Sequence, residues 1–251
     1  MRTVQPVDPK TPRRSLPLWI EAVLWLVLLG GGFFLVYGGC NAFTATRAHV
    51  PSFFFEWERR IPFVPAMIVP YMSIDLFFAG SFFLCRNRSE LRTLAARIAF
   101  AIAISALAFV LFPLRYGWPR PAVDGLLGLI FAPLDGFDQP FNLCPSLHIS
   151  LRTILWRVYG PAVRGVPWLR WSLEAWFMLI AASTLLVYQH HVIDLFGGYA
   201  VALLALWLFR GEKKIAAPPG SAPNHETAAH PPPCPHPSAP TTSPPRSSPA
   251  W

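Results

Sequence analysis

The sequence predicts an all-α integral membrane protein, a six-helix bundle followed by a disordered C-terminal tail. Composition is the first reason. Hydrophobic residues make up 53% of the 251 residues and charged residues only 14%, against about 25% charge in a soluble domain. The mean hydropathy is +0.40. Second, six apolar stretches approach the roughly 17–25 residues that a helix needs to cross lipid. Third, the basic residues favour one side of those stretches.

The stretches are 16–38, 61–83, 94–114, 143–159, 168–188 and 191–209. The first follows Arg13 and Arg14, is too long for a signal-peptide core and lacks a small-residue cleavage site, so it reads as an uncleaved anchor. The fourth is short and contains His148, Arg152 and Arg157. Residues 1–15 form the N-terminal segment, 16–210 the membrane domain and 211–251 the tail.

With the N-terminus inside, the inner segments are 1–15, 85–93, 158–170 and 210–251. Fifteen of the 21 Lys and Arg fall in or near them, among them Arg86, Arg88, Arg92, Arg97, Arg164, Arg170, Lys213 and Lys214. Arg47, Arg59, Arg60, Arg115 and Arg120 fall outside. This asymmetry follows the positive-inside rule. It accounts for the net charge of +8 without nucleic acid. A plasma (inner) membrane with both termini cytoplasmic is the expected setting.

Two outer segments are long. Residues 40–60 carry Phe53, Phe54, Phe55 and Trp57, an interfacial aromatic belt. Residues 115–142 hold the apolar run 126–131, too short to cross and expected to form an interfacial or re-entrant helix. From Ala216, twelve of the last 36 residues are Pro. Such a segment cannot bury a core. Its His225, His230, Cys234 and His236 offer metal-ligand types without fixed geometry, and its Pro runs could meet a polyproline-binding partner. Cys40 and Cys144 both fall near the outer face, where a disulfide is chemically allowed. Cys85 and Cys234 are expected inside and free.

Polar residues within a membrane bundle are functional candidates by default. Here they collect at the outer face, from three segments far apart in sequence. These are Arg115 to Pro121, Cys144-Pro145-Ser146-Leu147-His148, and Ser183 to Asp194 with His190 and His191. The chemistry they could perform is phosphoryl transfer. His190 and Asp194 are four apart, so they share a face if the segment is helical there. A carboxylate holding one ring N–H leaves the other nitrogen free to attack. His148 could protonate a leaving oxygen. Arg120 could hold phosphate oxygens in two-pronged fashion. Ser146 is a candidate phosphate contact, or only the N-cap of the fourth helix. No carboxylate cluster calls for a metal, and no cofactor is expected.

These residues resemble the type 2 phosphatidic acid phosphatase superfamily, which includes the vanadium haloperoxidases. Its motifs are Lys-x6-Arg-Pro, Pro-Ser-Gly-His and Ser-Arg-x5-His-x3-Asp. Arg120-Pro121 matches the end of the first, Pro145-Ser146-Leu147-His148 the second with Leu for Gly, and Ser183-x6-His190-x3-Asp194 the third in spacing. The resemblance covers roughly residues 15–210. It implies six helices, an outward-facing site, a phosphohistidine on His190 and a leaving-group acid at His148. Pro113 stands in place of the first motif's Lys, and Thr184 in place of the third motif's Arg. The Pro-Ser-Leu-His and His-His-x-x-Asp-Leu-x-Gly-Gly forms resemble the inositol phosphorylceramide synthase branch, whose members move a phospho-headgroup between lipids.

Two residues could replace the missing cations: Arg115, and Arg152, one turn below His148 on the same face. The alternative for Arg152 is a structural ion pair, with Asp75 as one partner. The expected activity is metal-independent lipid phosphate hydrolysis or headgroup transfer at the outer face, with a membrane lipid as substrate. The rivals are an inactive membrane scaffold or lipid-binding protein of the same fold, and a transporter using the same polar cluster.

Overall fold

A computed structural model describes residues 16–137 and 139–211. The tail, with its His225, His230, Cys234 and His236, lies outside the described residues, as do Lys213 and Lys214. Every regular element among the described residues is helical. There are seven α-helices: α1 (Leu18–Ala45), α2 (Ile68–Phe83), α3 (Arg88–Leu111), α4 (Gly125–Phe137), α5 (Leu147–Ala162), α6 (Pro167–Leu186) and α7 (Val192–Leu208). The expected count of six therefore becomes seven. The additional helix is α4, which grows from the apolar run 126–131 to thirteen residues.

Among the described residues three helical stretches are long and apolar enough to cross a membrane: Leu18–Ala45, Pro65–Phe83 and Arg88–Leu111. Their surfaces fit that. Leu35 on α1 is 79% exposed and Leu76 on α2 is 76% exposed. Apolar surface of this extent marks contact with lipid or another apolar phase.

Local chemistry sets the helix boundaries. Asn87 caps α3 by accepting the Glu90 N–H (2.9 Å), while the Glu90 carboxylate accepts the Arg86 N–H (2.8 Å). Ser146 caps α5 through the Ile149 N–H (3.5 Å). Pro167 opens α6 at a position where no N–H is needed. The Asp194 carboxylate reaches back to the His191 N–H at 2.7 Å to start α7. At the opposite end of α7, the Arg97 guanidinium donates twice to the Phe209 carbonyl, at 3.0 and 2.7 Å. Cations near helix C-termini satisfy carbonyls that lack a helical partner. Arg88 ties α3 to the start of α1 through Glu21 (2.6 Å) and the Leu16 carbonyl.

α5 is the central helix and packs against α2, α3, α6 and α7. The main core gathers Ile74 and Phe82 of α2, Leu91 and Ile98 of α3, Ile154 and Leu155 of α5, Phe177 and Ile180 of α6, and Ala202 and Ala205 of α7. A second cluster seats α4. Phe131 and Leu134 bury against Ile68, Tyr71 and Val187, while Leu126 and Leu129 face outward. One face in and one face out is the pattern of a helix lying on a bundle.

The start of α5 approaches α7 closely. A methyl group on Gly198 would run into the Ser146 carbonyl oxygen. One on Gly197 would meet the Cys144 sulfur and the Pro145 ring at 3.1 Å. Absence of side chains at both glycines lets backbone meet backbone. The Ser150 hydroxyl adds a bond to the Gly198 carbonyl at 2.9 Å. Cys40, Cys85 and Cys144 are all free thiols, so the disulfide allowed by the sequence is not formed. Cys40 instead points to the Ala106 carbonyl.

Candidate active site

The tight α5–α7 joint brings the second and third sequence segments together. The Ser146 N–H donates to the Asp194 carbonyl at 2.9 Å. His190 Nδ1 lies 3.4 Å from Asp194 Oδ2 without a formed hydrogen bond. Asp194 and His190 are buried, at 1% and 6% exposure. The His148 ring stands 6.3 Å from the His190 ring, centre to centre. It stacks on Tyr71 of α2 at 4.0 Å, a pairing that fixes its orientation.

Both histidines border a cavity of about 570 Å³, walled mainly by apolar side chains of α1, α2 and α4, including Phe33, Phe34, Phe78 and Leu134. Its polar members are Tyr37, Tyr71, Asp75, Asn142, His148 and His190. Such a volume lies within the range of small-ligand sites.

The loop carrying His190 is held from below. The Thr184 carbonyl accepts the N–H groups of Gln189 and His190, both at 3.1 Å. Tyr188 adopts a left-handed backbone at φ +57, costly for a non-glycine residue. Its hydroxyl donates to the Ile61 carbonyl at 2.8 Å, and its ring stacks on Tyr116.

His191 faces away from His190 into an aromatic box of Tyr116, Phe54 and Trp118, with Tyr116 stacked at 4.2 Å. Its Nε2 accepts the Gly117 N–H at 3.1 Å. The ring proton must then sit on Nδ1, which donates to Glu58 at 3.0 Å. Glu58, on the short 3-10 helix Glu56–Arg60, is 1% exposed. Its carboxylate also accepts the N–H groups of Val192 (3.1 Å) and Phe55 (2.9 Å). One buried carboxylate thus joins the segment between α1 and α2 to the start of α7. Burial, with Tyr188, Glu58 and Asp194 nearby, pushes the Tyr116 phenol above its usual pKa.

The arginines fall elsewhere. Arg120 lines an adjoining cavity of about 230 Å³ with Tyr116, Trp118, Gln139, Tyr188 and Gln189, its guanidinium 5.1 Å over the Phe131 ring. The two cavities share Tyr37 and Asn142. Arg115 is exposed and borders neither, although its N–H anchors to the Pro51 carbonyl.

Arg152 is buried and also borders neither cavity. It donates to the Phe177 carbonyl (3.0 Å), the Tyr199 hydroxyl (3.2 Å) and the Met178 sulfur (3.0 Å), with Glu174 at 3.8 Å. These contacts are structural, none of them reaches the histidine cavity, and the ionic partner of Arg152 is Glu174 instead of Asp75. Its long side chain reaches sideways to α6 and α7, so sharing a helix face with His148 did not make it share the cavity.

Ser146 is fully buried as an N-cap and lines neither cavity. Ser183 and Thr184 are buried and turn their hydroxyls to the Ile180 and Ala181 carbonyls. Four residues escaped the sequence reading of the site: Glu58, Tyr71, Asn142 and Tyr37. Among the described residues, no three His, Cys, Asp or Glu side chains come together to hold a metal ion.

Comparisons with family models, with curated proteins and with solved structures find no match to this chain.

Proposed function

We propose that the chain is an integral membrane enzyme that transfers phosphoryl groups from lipid phosphate esters through a phosphohistidine. In this reading α1, α2, α3, α5, α6 and α7 cross the membrane, the termini are cytoplasmic and the site opens at the exterior face. The observation that carries it is the His190–Asp194 pair facing His148 across one end of an apolar cavity. The basic-residue asymmetry supports the orientation.

The lipid chain fills the cavity between α1, α2 and α4. Its phosphate sits at the histidine end, near Tyr37 and Asn142, where the Arg120 cavity adjoins. Asp194 holds the proton on His190 Nδ1, and Nε2 attacks phosphorus. The bond to the leaving oxygen breaks, and that oxygen takes a proton from His148. Water or an alcohol then attacks the phosphohistidine, returning a proton to His148. The positive ends of the α5 and α7 dipoles lie at the same level and offset phosphate charge.

One observation favours a second reading, an inactive lipid-binding protein of the same fold. Among the described residues no Arg or Lys borders the histidine cavity, and Thr184 is buried with its hydroxyl bonded to its own helix. The two readings separate in liposomes. Wild type and His190→Ala would be offered phosphatidate, isoprenyl diphosphate and phosphatidylinositol, with and without an alcohol acceptor. Phosphate release or a new lipid that vanishes in His190→Ala supports the enzyme. Folded wild type that turns over none of them supports the binding protein.

A further inference from the structure

Asp75 lies in the middle of α2 and borders the apolar cavity that also receives His148 and His190. It makes no hydrogen bond and no ion pair with any described residue. An unpaired carboxyl group against apolar walls is unfavourable, and in membrane helices such groups mark functional sites. Arg152, the expected partner, is occupied by α6 and α7. Trp176, which reaches α2 from α6, donates to Ser73 instead.

The position of Asp75 relative to the reacting groups follows from the helix. Tyr71 stacks directly on His148. Asp75 is four residues further along α2, about 6 Å deeper at 1.5 Å per residue, and on the same face. A phosphate held between His148 and His190 therefore places the second or third carbon of its ester chain near Asp75. A lipid filling the cavity would expel water and leave the carboxyl group unmet, unless the lipid itself brings a donor to that depth.

Resting on the lipid-phosphate reading above, we propose that Asp75 selects substrates carrying a hydrogen-bond donor, a hydroxyl or an ammonium group, close to the phosphate ester. Bare alkyl or isoprenyl phosphates lack that group and are disfavoured. Asp75 acts on specificity and takes no part in the proton transfers.

The test uses three synthetic phosphates of equal chain length: hexadecyl, 2-hydroxyhexadecyl and 2-aminohexadecyl. Wild type, Asp75→Asn and Asp75→Leu are compared in liposomes by kcat/KM. Binding of the matching non-hydrolysable phosphonates to His190→Ala and to His190→Ala/Asp75→Leu is followed by thermal shift. Wild type should favour the better donor-bearing substrate over hexadecyl phosphate by roughly 10- to 100-fold, the worth of a hydrogen bond to a charged group. Asp75→Leu should bring that ratio close to one, and Asp75→Asn should keep part of it. The amino and hydroxyl substrates tell which donor the site reads.

A wild-type ratio near one, or a ratio that survives Asp75→Leu, overturns the assignment. So does failure of Asp75→Leu to fold, since removal of an unpaired carboxyl group from a membrane helix should not destabilise it. If no phosphate is turned over, the enzymatic reading fails separately and the phosphonates decide. A donor preference lost in the double variant upholds Asp75 as a selector, and no preference in either background overturns it.

Discussion

Replacing Glu58 by Gln tests the buried carboxylate that joins the segment between α1 and α2 to α7. The wild-type group accepts three N–H donors, from Phe55, Val192 and the His191 ring. Gln keeps the shape but turns one acceptor into a donor. With its oxygen toward Phe55, the new NH2 group confronts Val192 and His191. In the flipped orientation it confronts Phe55. The His191 ring cannot relieve the conflict by changing tautomer, because Nε2 is needed by Gly117. At least one of the three N–H groups is therefore left without its acceptor, at a cost of about 1–3 kcal/mol where that group is shielded from water. Amide hydrogen exchange measured by mass spectrometry reads this locally. A peptide containing Phe55, or one containing Val192, should exchange about 5- to 150-fold faster in Glu58→Gln, given tenfold per 1.4 kcal/mol, according to which way the amide turns. Exchange at wild-type rates with an unchanged unfolding temperature would refute the three-donor account.

Other substitutions probe separate joints. Gly198→Ala forces a methyl group into the Ser146 carbonyl, and overpacking of this kind costs about 1–3 kcal/mol. The unfolding midpoint should fall, and any folded protein should lose turnover because His148 and His190 shift apart. Arg152→Met removes donors from Phe177, Tyr199 and Glu174; it should lower folded yield while leaving kcat per folded molecule within a few-fold of wild type. A total loss of kcat in well-folded Arg152→Met would restore the phosphate role. Tyr71→Leu removes the ring stacked on His148, worth about 0.5–1.5 kcal/mol. It should lower kcat more than it raises KM, and equal effects on both would argue that Tyr71 shapes only the cavity wall.

What was legible in the sequence followed helical periodicity. The helical character of all six apolar stretches could be read, as could the short run that became α4. The His-x3-Asp spacing announced the His190–Asp194 pair, although His190 stands in the loop before α7 instead of on the helix, and the alternation of apolar stretches put the Pro-Ser-Leu-His segment at the same end. The arginines were harder. Arg120 sits in an irregular segment between α3 and α4, where residue spacing carries no direction, and it fell one cavity away. Arg152 had the right helical spacing, but the reach of an arginine side chain exceeds the width of a helix face. Glu58 was hidden among Phe53, Phe54, Phe55, Trp57 and two arginines, a stretch that reads as membrane interface. Its partner is 133 residues away, and no local pattern announces a bond across that distance.

The seating of Ser146 and Pro145 on Gly198 and Gly197 has a mechanical consequence. A joint whose α7 half presents only glycine backbone leaves little that can rotate to open it. His148 stands on one half and His190 on the other, so the gap between them is a fixed gauge against which any occupant is measured. Widening of the cavity has to take place at the far wall, where α1, α2 and α4 meet through rings and branched chains that can rotate aside. Two glycines thereby divide the molecule into a rigid jaw and a yielding one.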